Sequence, residues 1–287
     1  MNLWDNNIEI EFFKNEFKKA TPFDKIFYKL ESEYYAYVSK KEKGKGQTLQ
    51  SRNSSIGKFT EEWTKKLFEP IAKKMNLFAV NGVLCEELGL TDKSNADFAL
   101  CTTEDIKQIP ENIKFLFEIK MSIVSNYRLV KPDSVEYIGD YKSHKGKPSL
   151  LRSDSMLKAI GKAITVRASG PSSSSIPIII LGNSPIMYSY VKKVDNLKQA
   201  GIIQGFWSLN PKPTMSDCIK ESPNRGFMTV NKINDLYILA RNLHDENMNY
   251  YPFTISKPKL GQLITNASKE TTDELKADKF IKLLREI

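Results

Sequence analysis

The nine residues KFLFEIKMS, 114 to 122, most constrain what this chain can become, because they set a glutamate and a lysine inside a run that otherwise reads as a buried strand. Side chains of a strand alternate between faces, so Phe115, Phe117, Ile119 and Met121 share one face while Leu116, Glu118 and Lys120 share the other. The first face can bury in a core. The second carries a carboxylate and an amine about 7 Å apart along the strand, at roughly 3.3 Å per residue, near enough to act on one small group. An edge strand with a solvated ion pair would read the same way. An acid two positions before a lysine also occurs at Glu16/Lys18, Asp105/Lys107, Asp140/Lys142 and Glu274/Lys276. Spacing therefore carries little, and context decides. Those four pairs fall in helix-like segments or polar loops; Glu118/Lys120 alone sits in a strongly apolar strand.

The surrounding pattern predicts the other elements. Thr21 followed by Pro22 reads as a helix start, with Phe23, Phe27, Leu30, Tyr34 and Tyr37/Val38 at helical spacing. Residues 1–50 are accordingly expected to form an N-terminal helical region. The segment KKEKGKGQTLQSRNSS, 40–55, is polar, basic and glycine-containing and predicts a mobile loop, either a connector or an arm that follows phosphates. In IGKFTEEWTKKLFEPIAKKM, Phe59, Trp63, Leu67, Ile71 and Met75 lie one turn apart on a helix flank, and Pro70 predicts a kink. Strand-like LFAVNG and DFALC follow. Pairing of DFALC with KFLFEIKMS as a long-looped hairpin would bring Asp97 towards Glu118 and Lys120.

Residues 122–152 read as a polar loop or hairpin rich in Arg128, Lys131, Lys142, Lys145, Lys147 and Arg152. Ser153 then caps a helix to about Ala168, with Met156, Leu157, Ile160 and Ile164 as its apolar stripe. IPIIILGN predicts a fully buried strand and GFWSLNP a later one; the terminal TTDELKADKFIKLLREI predicts a helix with Phe280, Leu283, Leu284 and Ile287 on one face. This succession describes an α/β fold, a mixed central sheet flanked by helices.

Composition narrows the function classes. A chain of 287 residues, 40% hydrophobic and 27% charged, suffices for a sizeable core, and one elaborated domain over 1–287 is expected. No stretch approaches 18 uncharged apolar residues and the start MNLWDNNIEIEFF lacks the form of a signal peptide, which predicts a cytoplasmic protein without a membrane span. Cys85, Cys101 and Cys218, far apart and without a CxxC pair, read as buried thiols. Two histidines, His144 and His244, give no local support to Ser-His-Asp or Cys-His catalysis, and no GxxxxGK[ST] occurs, which disfavours an ATP-driven motor. A net charge of +9 and a pI near 9.2 point to a polyanionic partner, nucleic acid first.

Over roughly residues 55–183, the order helix, strand with Asp97, strand with Glu118-Ile119-Lys120, helix, strand resembles the PD-(D/E)XK nuclease superfamily, and most of all its type II restriction endonucleases. The resemblance implies a restriction-endonuclease-like core at 55–183, with a C-terminal elaboration at 184–287. It implies Asp97 and Glu118 as ligands of Mg2+, Lys120 as the catalytic lysine, and Glu61, four residues after Gly57, as an additional helical glutamate, with Glu62 its alternative. Ala96 departs from the proline that precedes the first acid in the family's motif. The implied activity is site-specific hydrolysis of double-stranded DNA leaving 5′-phosphates, by a homodimer whose functional partner is a DNA methyltransferase. Arg128, Lys131, Lys142, Lys145, Lys147 and Arg152 are the expected DNA contacts. A repair or structure-specific nuclease of the same fold, and a DNA-binding protein without activity, are the alternatives.

Overall fold

The computed structural model describes residues 2–42, 49–131, 133–246 and 255–286. In chain order its elements are α1 (Asn6–Lys18), α2 (Phe23–Ile26), β1 (Tyr28–Leu30), β2 (Glu33–Tyr35), α3 (Gln50–Lys74), β3 (Phe78–Val83), β4 (Ala96–Cys101) and β5 (Ile113–Ile119). Then follow β6 (Asn126–Lys131), β7 (Ser134–Gly139), α4 (Ser153–Ala168), β8 (Ile178–Gly182), α5 (Val191–Gln199), β9 (Gly205–Ser208), β10 (Phe227–Thr229), α6 (Ile233–Asp245), α7 (Lys257–Ala267) and α8 (Asp273–Arg285). The larger sheet has six strands in the order β10-β9-β8-β5-β4-β3. Strands β10, β9, β8 and β5 run parallel, and β4 and β3 are antiparallel to their neighbours. A mixed sheet between helices is thus the architecture.

Alternation along β5 sorts the core into two layers. Phe115, Phe117, Ile119 and Met121 join a buried cluster with Trp63, Leu67, Phe68 and Ile71 of α3 and Leu236 and Ala240 of α6. Phe117 lies 5.0 Å from Phe68 and 5.2 Å from Phe98, ring centroid to ring centroid. Each such phenylalanine contributes about 1.5–3 kcal/mol on burial. Leu116, on the other face, packs with Met156, Ala159 and Ala163 of α4 and Val194 of α5. The neighbours of β5 are β4 and β8, so the strand is internal and the edge-strand reading of Glu118/Lys120 does not hold.

A second sheet, β1-β2-β6-β7, packs Tyr127 against Phe12 and Phe13 of α1. The helix expected from Phe23 to Val38 is limited to α2; after it come β1 and β2, paired Tyr28↔Tyr35 to Leu30↔Glu33. Tyrosines favour strands, and Glu31 at φ 53° supplies the left-handed residue of the tight turn between them. The main N-terminal helix is α1, capped by Asp5, whose carboxylate accepts from the amides of Asn7 and Ile8.

Four further expectations are corrected. Helix α3 begins at Gln50, so only part of the loop expected at 40–55 stays open to that reading, and 43–48 lie outside the described residues. Ser153 is the first residue of α4 and not its cap; Arg152 holds the cap position without a side-chain hydrogen bond. The buried stripe of α4 is Met156, Ala159, Ala163 and Val166, leaving Leu157 and Ile164 exposed. Cys85 and Cys101 are buried, as expected, whereas Cys218 is half-buried. Among the described residues no helix is long and apolar enough to cross a membrane.

Candidate active site

The site forms where the large sheet changes sense. Ladder pairing of β4 with β5 ends at Phe98↔Phe117, and β5 continues alongside β8 to Ile119↔Leu181. Beyond that fork the amide of Ile119 has lost its strand partner, and Asp97 Oδ2 accepts from it at 2.7 Å. A carboxylate thus replaces a ladder carbonyl and is held at the start of β4, beside the end of β5.

Glu118 and Lys120 meet it there. Lys120 Nζ donates to Glu118 Oε1 and lies 3.7 Å from Asp97 Oδ2. The Lys120 backbone is fixed on both sides: its amide donates to Leu181 O at 2.7 Å, and its carbonyl accepts from Ser149 Oγ at 2.5 Å. Ser149 adopts φ 50°, uncommon for a residue with a side chain, and its Oγ also accepts from Asn183 N at 3.0 Å. Asn183 in turn clasps Ser122, accepting from its amide at 3.1 Å and donating to its carbonyl at 2.6 Å. Gly182 makes this packing possible, since a Cβ there would stand 2.4 Å from Leu150 Cγ.

A fourth residue completes the cluster. Lys162 of α4 places Nζ 2.5 Å from Glu118 Oε2 and 3.3 Å from Asp97 Oδ1. The small Ala159 and Ala163 on the buried stripe let α4 approach the sheet, and Lys162 borders that stripe at i+3 from Ala159 and i−4 from Val166. Sequence reasoning missed it. The available signal was a lysine on the margin of a buried helical stripe. Two carboxylates and two ammonium groups now interlock, each side chain between 10% and 21% exposed.

Electrostatics follow from that enclosure. Burial, and next the charge of Asp97, raise the pKa of Glu118 against the opposing pull of Lys120 and Lys162. Burial works against the charge of Lys162, yet Asp97 and Glu118 hold its pKa above the ordinary lysine value. Half-buried Glu61, on α3, is raised by burial first and by the Asp97 charge second, so it belongs to the same electrostatic field. Glu62 faces a separate groove with Asp5, Lys58 and Lys66.

Lys120 also lines a cavity of about 740 Å³. Among the described residues its walls carry Arg52, Lys145, Lys147, Arg152 and Lys158 besides Lys120, against one acid, Asp154, which takes both arms of Arg152 at 3.0 and 2.7 Å. On the same walls, the buried Arg52 guanidinium lies 4.8 Å from the Tyr37 ring, which stacks 4.0 Å from His144. Of the expected DNA contacts, Lys145, Lys147 and Arg152 therefore line this cavity. Arg128, Lys131 and Lys142 do not. Arg128 pairs with Glu33 at 3.2 Å and Glu136 at 2.7 Å, exposed Lys131 ends β6, and Lys142 donates to Asp217 O. Charge run 128–152 is split because β6 and β7 carry its first part onto the other sheet.

Carboxylate oxygens are the hard ligands that suit magnesium. One cation, the ammonium of Lys162, already touches an oxygen of each carboxylate, so Asp97 and Glu118 fit a shared ion. Among the described residues no three His, Cys, Asp or Glu side chains form a ready-made metal cluster. Compared with known proteins, the chain matches no family model, no curated protein and no solved structure.

Proposed function

We propose that this chain is a magnesium-dependent, sequence-specific double-stranded DNA endonuclease of the type II restriction kind, built on a restriction-endonuclease-like core. The observation that carries the reading is the meeting of Asp97, Glu118 and Lys120 at the fork of the sheet, beside a cavity whose walls, among the described residues, bear six cations and one acid. A phosphodiester is an anion flanked by further anions, and such a wall offsets them together.

Asp97 and Glu118 would hold the magnesium ion. When bound, it would shield the phosphate charge and ease ionisation of a coordinated water. Lys120, fixed through its backbone by Ser149 and Leu181, donates to the attacking water and offsets the negative charge growing on the phosphate oxygens. Lys145, Lys147, Arg152 and Lys158 hold the neighbouring phosphates. The products are a 5′-phosphate and a 3′-hydroxyl. Cutting both strands of a palindromic site requires two symmetry-related sites, so the working unit is a homodimer, and a methyltransferase protects the same sequence in the host.

Digestion of a sequenced genome in the presence of Mg2+, followed by mapping of the ends, tests this. Discrete fragments with 5′-phosphates and one shared end sequence are expected. Digestion only from ends or at branches would replace restriction with repair, and intact DNA that is nonetheless bound would leave a binding protein.

A further inference from the structure

Lys162 has no place in the three-residue chemistry above, yet from a separate element, α4, it contacts both carboxylates. Lys120 takes Glu118 Oε1 and approaches Asp97 Oδ2, while Lys162 takes Glu118 Oε2 and Asp97 Oδ1. All four oxygens thus face an ammonium group, and the quartet is neutral. A divalent ion entering beside it gains little, because the charge it would neutralise is already neutralised.

The two lysines are tethered differently. Lys120 follows β5 directly, two residues after Glu118, and its backbone is held on both sides, so it is tied to the strand that carries Glu118. Lys162 reaches the carboxylates through a flexible four-carbon stem from a helix whose outer face is exposed at Leu157, Lys158 and Gly161. Lys158, one turn earlier on the same helix, lines the cation-walled cavity.

We propose that Lys162 is a resident countercation that keeps the Asp97–Glu118 pair neutral and closed until a divalent metal displaces it. The inference rests on the reading that these carboxylates hold metal. It makes Lys162 a gate on metal entry: without it, the site is a partly buried dianion with one lysine, less stable alone and more avid for cations.

The test measures Mn2+ and Mg2+ binding by calorimetry, without DNA, for wild type, Lys162→Met and Lys162→Arg. Lys162→Met should bind at least about ten-fold more tightly, melt lower than wild type in chelator, and regain more stability on metal addition; Lys162→Arg should stay near wild type. Amine labelling of wild type, read by mass spectrometry, needs no variant. Labelling of Lys162 should rise several-fold with metal, while exposed Lys107 stays constant. Equal or weaker binding by Lys162→Met, or unchanged labelling of Lys162, overturns the gate. Plasmid cleavage by the same wild-type preparation separates the two ideas. Cleavage with no Lys162 effect removes the gate and leaves the nuclease, tightened binding without cleavage keeps the gate and removes the nuclease, and no metal binding in either protein removes both.

Discussion

Ser149 is where a single residue carries the most geometry. Its Oγ joins the carbonyl that follows β5 to the amide of Asn183, and its backbone sits in the left-handed region to do so. Ser149→Ala should cost about 1–3 kcal/mol of stability in urea unfolding by leaving buried polar groups unpaired, and should lower single-turnover cleavage more than DNA affinity. Ser149→Gly removes the same bridge but suits the left-handed backbone, so it should lose comparable activity and less stability. Buried titratable groups give a second prediction at this scale. Glu9 accepts from Trp4 Nε1, Tyr127 Oη and the amides of Val124 and Ser125, and burial pushes its pKa up to about 7. Burial pushes His144 down to about 4. The folded state therefore holds the Glu9 proton more tightly than the unfolded one, and this stabilisation is lost as pH rises from about 4.5 to 7. His144 acts in reverse, since the unfolded chain binds its proton first, and stability rises with pH from about 4 to 6.5. The contributions of Glu9 and His144 should therefore largely offset each other over the shared range. Glu9→Gln should uncover a rising profile and His144→Phe a falling one; parallel profiles in both variants would contradict the assignment.

At the scale of elements, β5 and β8 could be read from residues alone because their information is local. Strict alternation sorted Phe115 and Phe117 from Leu116 and Glu118, and Ile178 to Gly182 form a uniformly buried strand parallel to β5. The pairing of β4 with β5 followed from the same pattern. Residues 23–38 misled because aromatic residues at helical intervals fit two structures, and tertiary pairing with β6 through Tyr35↔Arg128 favours the strand. Lys162 stayed hidden for a related reason. Its role depends on how closely α4 approaches the sheet, which Ala159 and Ala163 determine and no periodicity records. Ala163→Leu should test that dependence: overpacking should cost about 1–3 kcal/mol, push α4 outward, and break the contacts of Lys162 while sparing those of Lys120. Thermal unfolding with amine labelling of both lysines reads the two effects.

Across the whole molecule, the decisive arrangement is a cation-lined cavity, walled by the starts of α3 and α4 and the segment after β5, beside four interlocked charges. Positive charge was visible in composition; its partition was not, because β6 carries Arg128 and Lys131 away from the cavity. Neutralising Lys145 and Lys147 together should therefore reduce the salt slope of DNA binding by about two, near 0.9 per phosphate contact. Neutralising Arg128 and Lys131 should leave it near the wild-type value. Filter binding across a salt series distinguishes these. Sedimentation with and without DNA should give twice the monomer mass in at least one condition, and a monomer in both would reject the dimer. The central claim is that Glu118 and Lys120 are chemistry and not an ion pair on a strand. The measurement that tests it most directly is the Mg2+-dependent rate of plasmid cleavage by wild type, Glu118→Ala, Lys120→Ala and Lys107→Ala, the last drawn from the equally spaced loop pair Asp105/Lys107. The account predicts cleavage by wild type and Lys107→Ala at equal rates, and a loss of at least about a hundred-fold in the other two. Cleavage by Glu118→Ala and Lys120→Ala at the wild-type rate would contradict it.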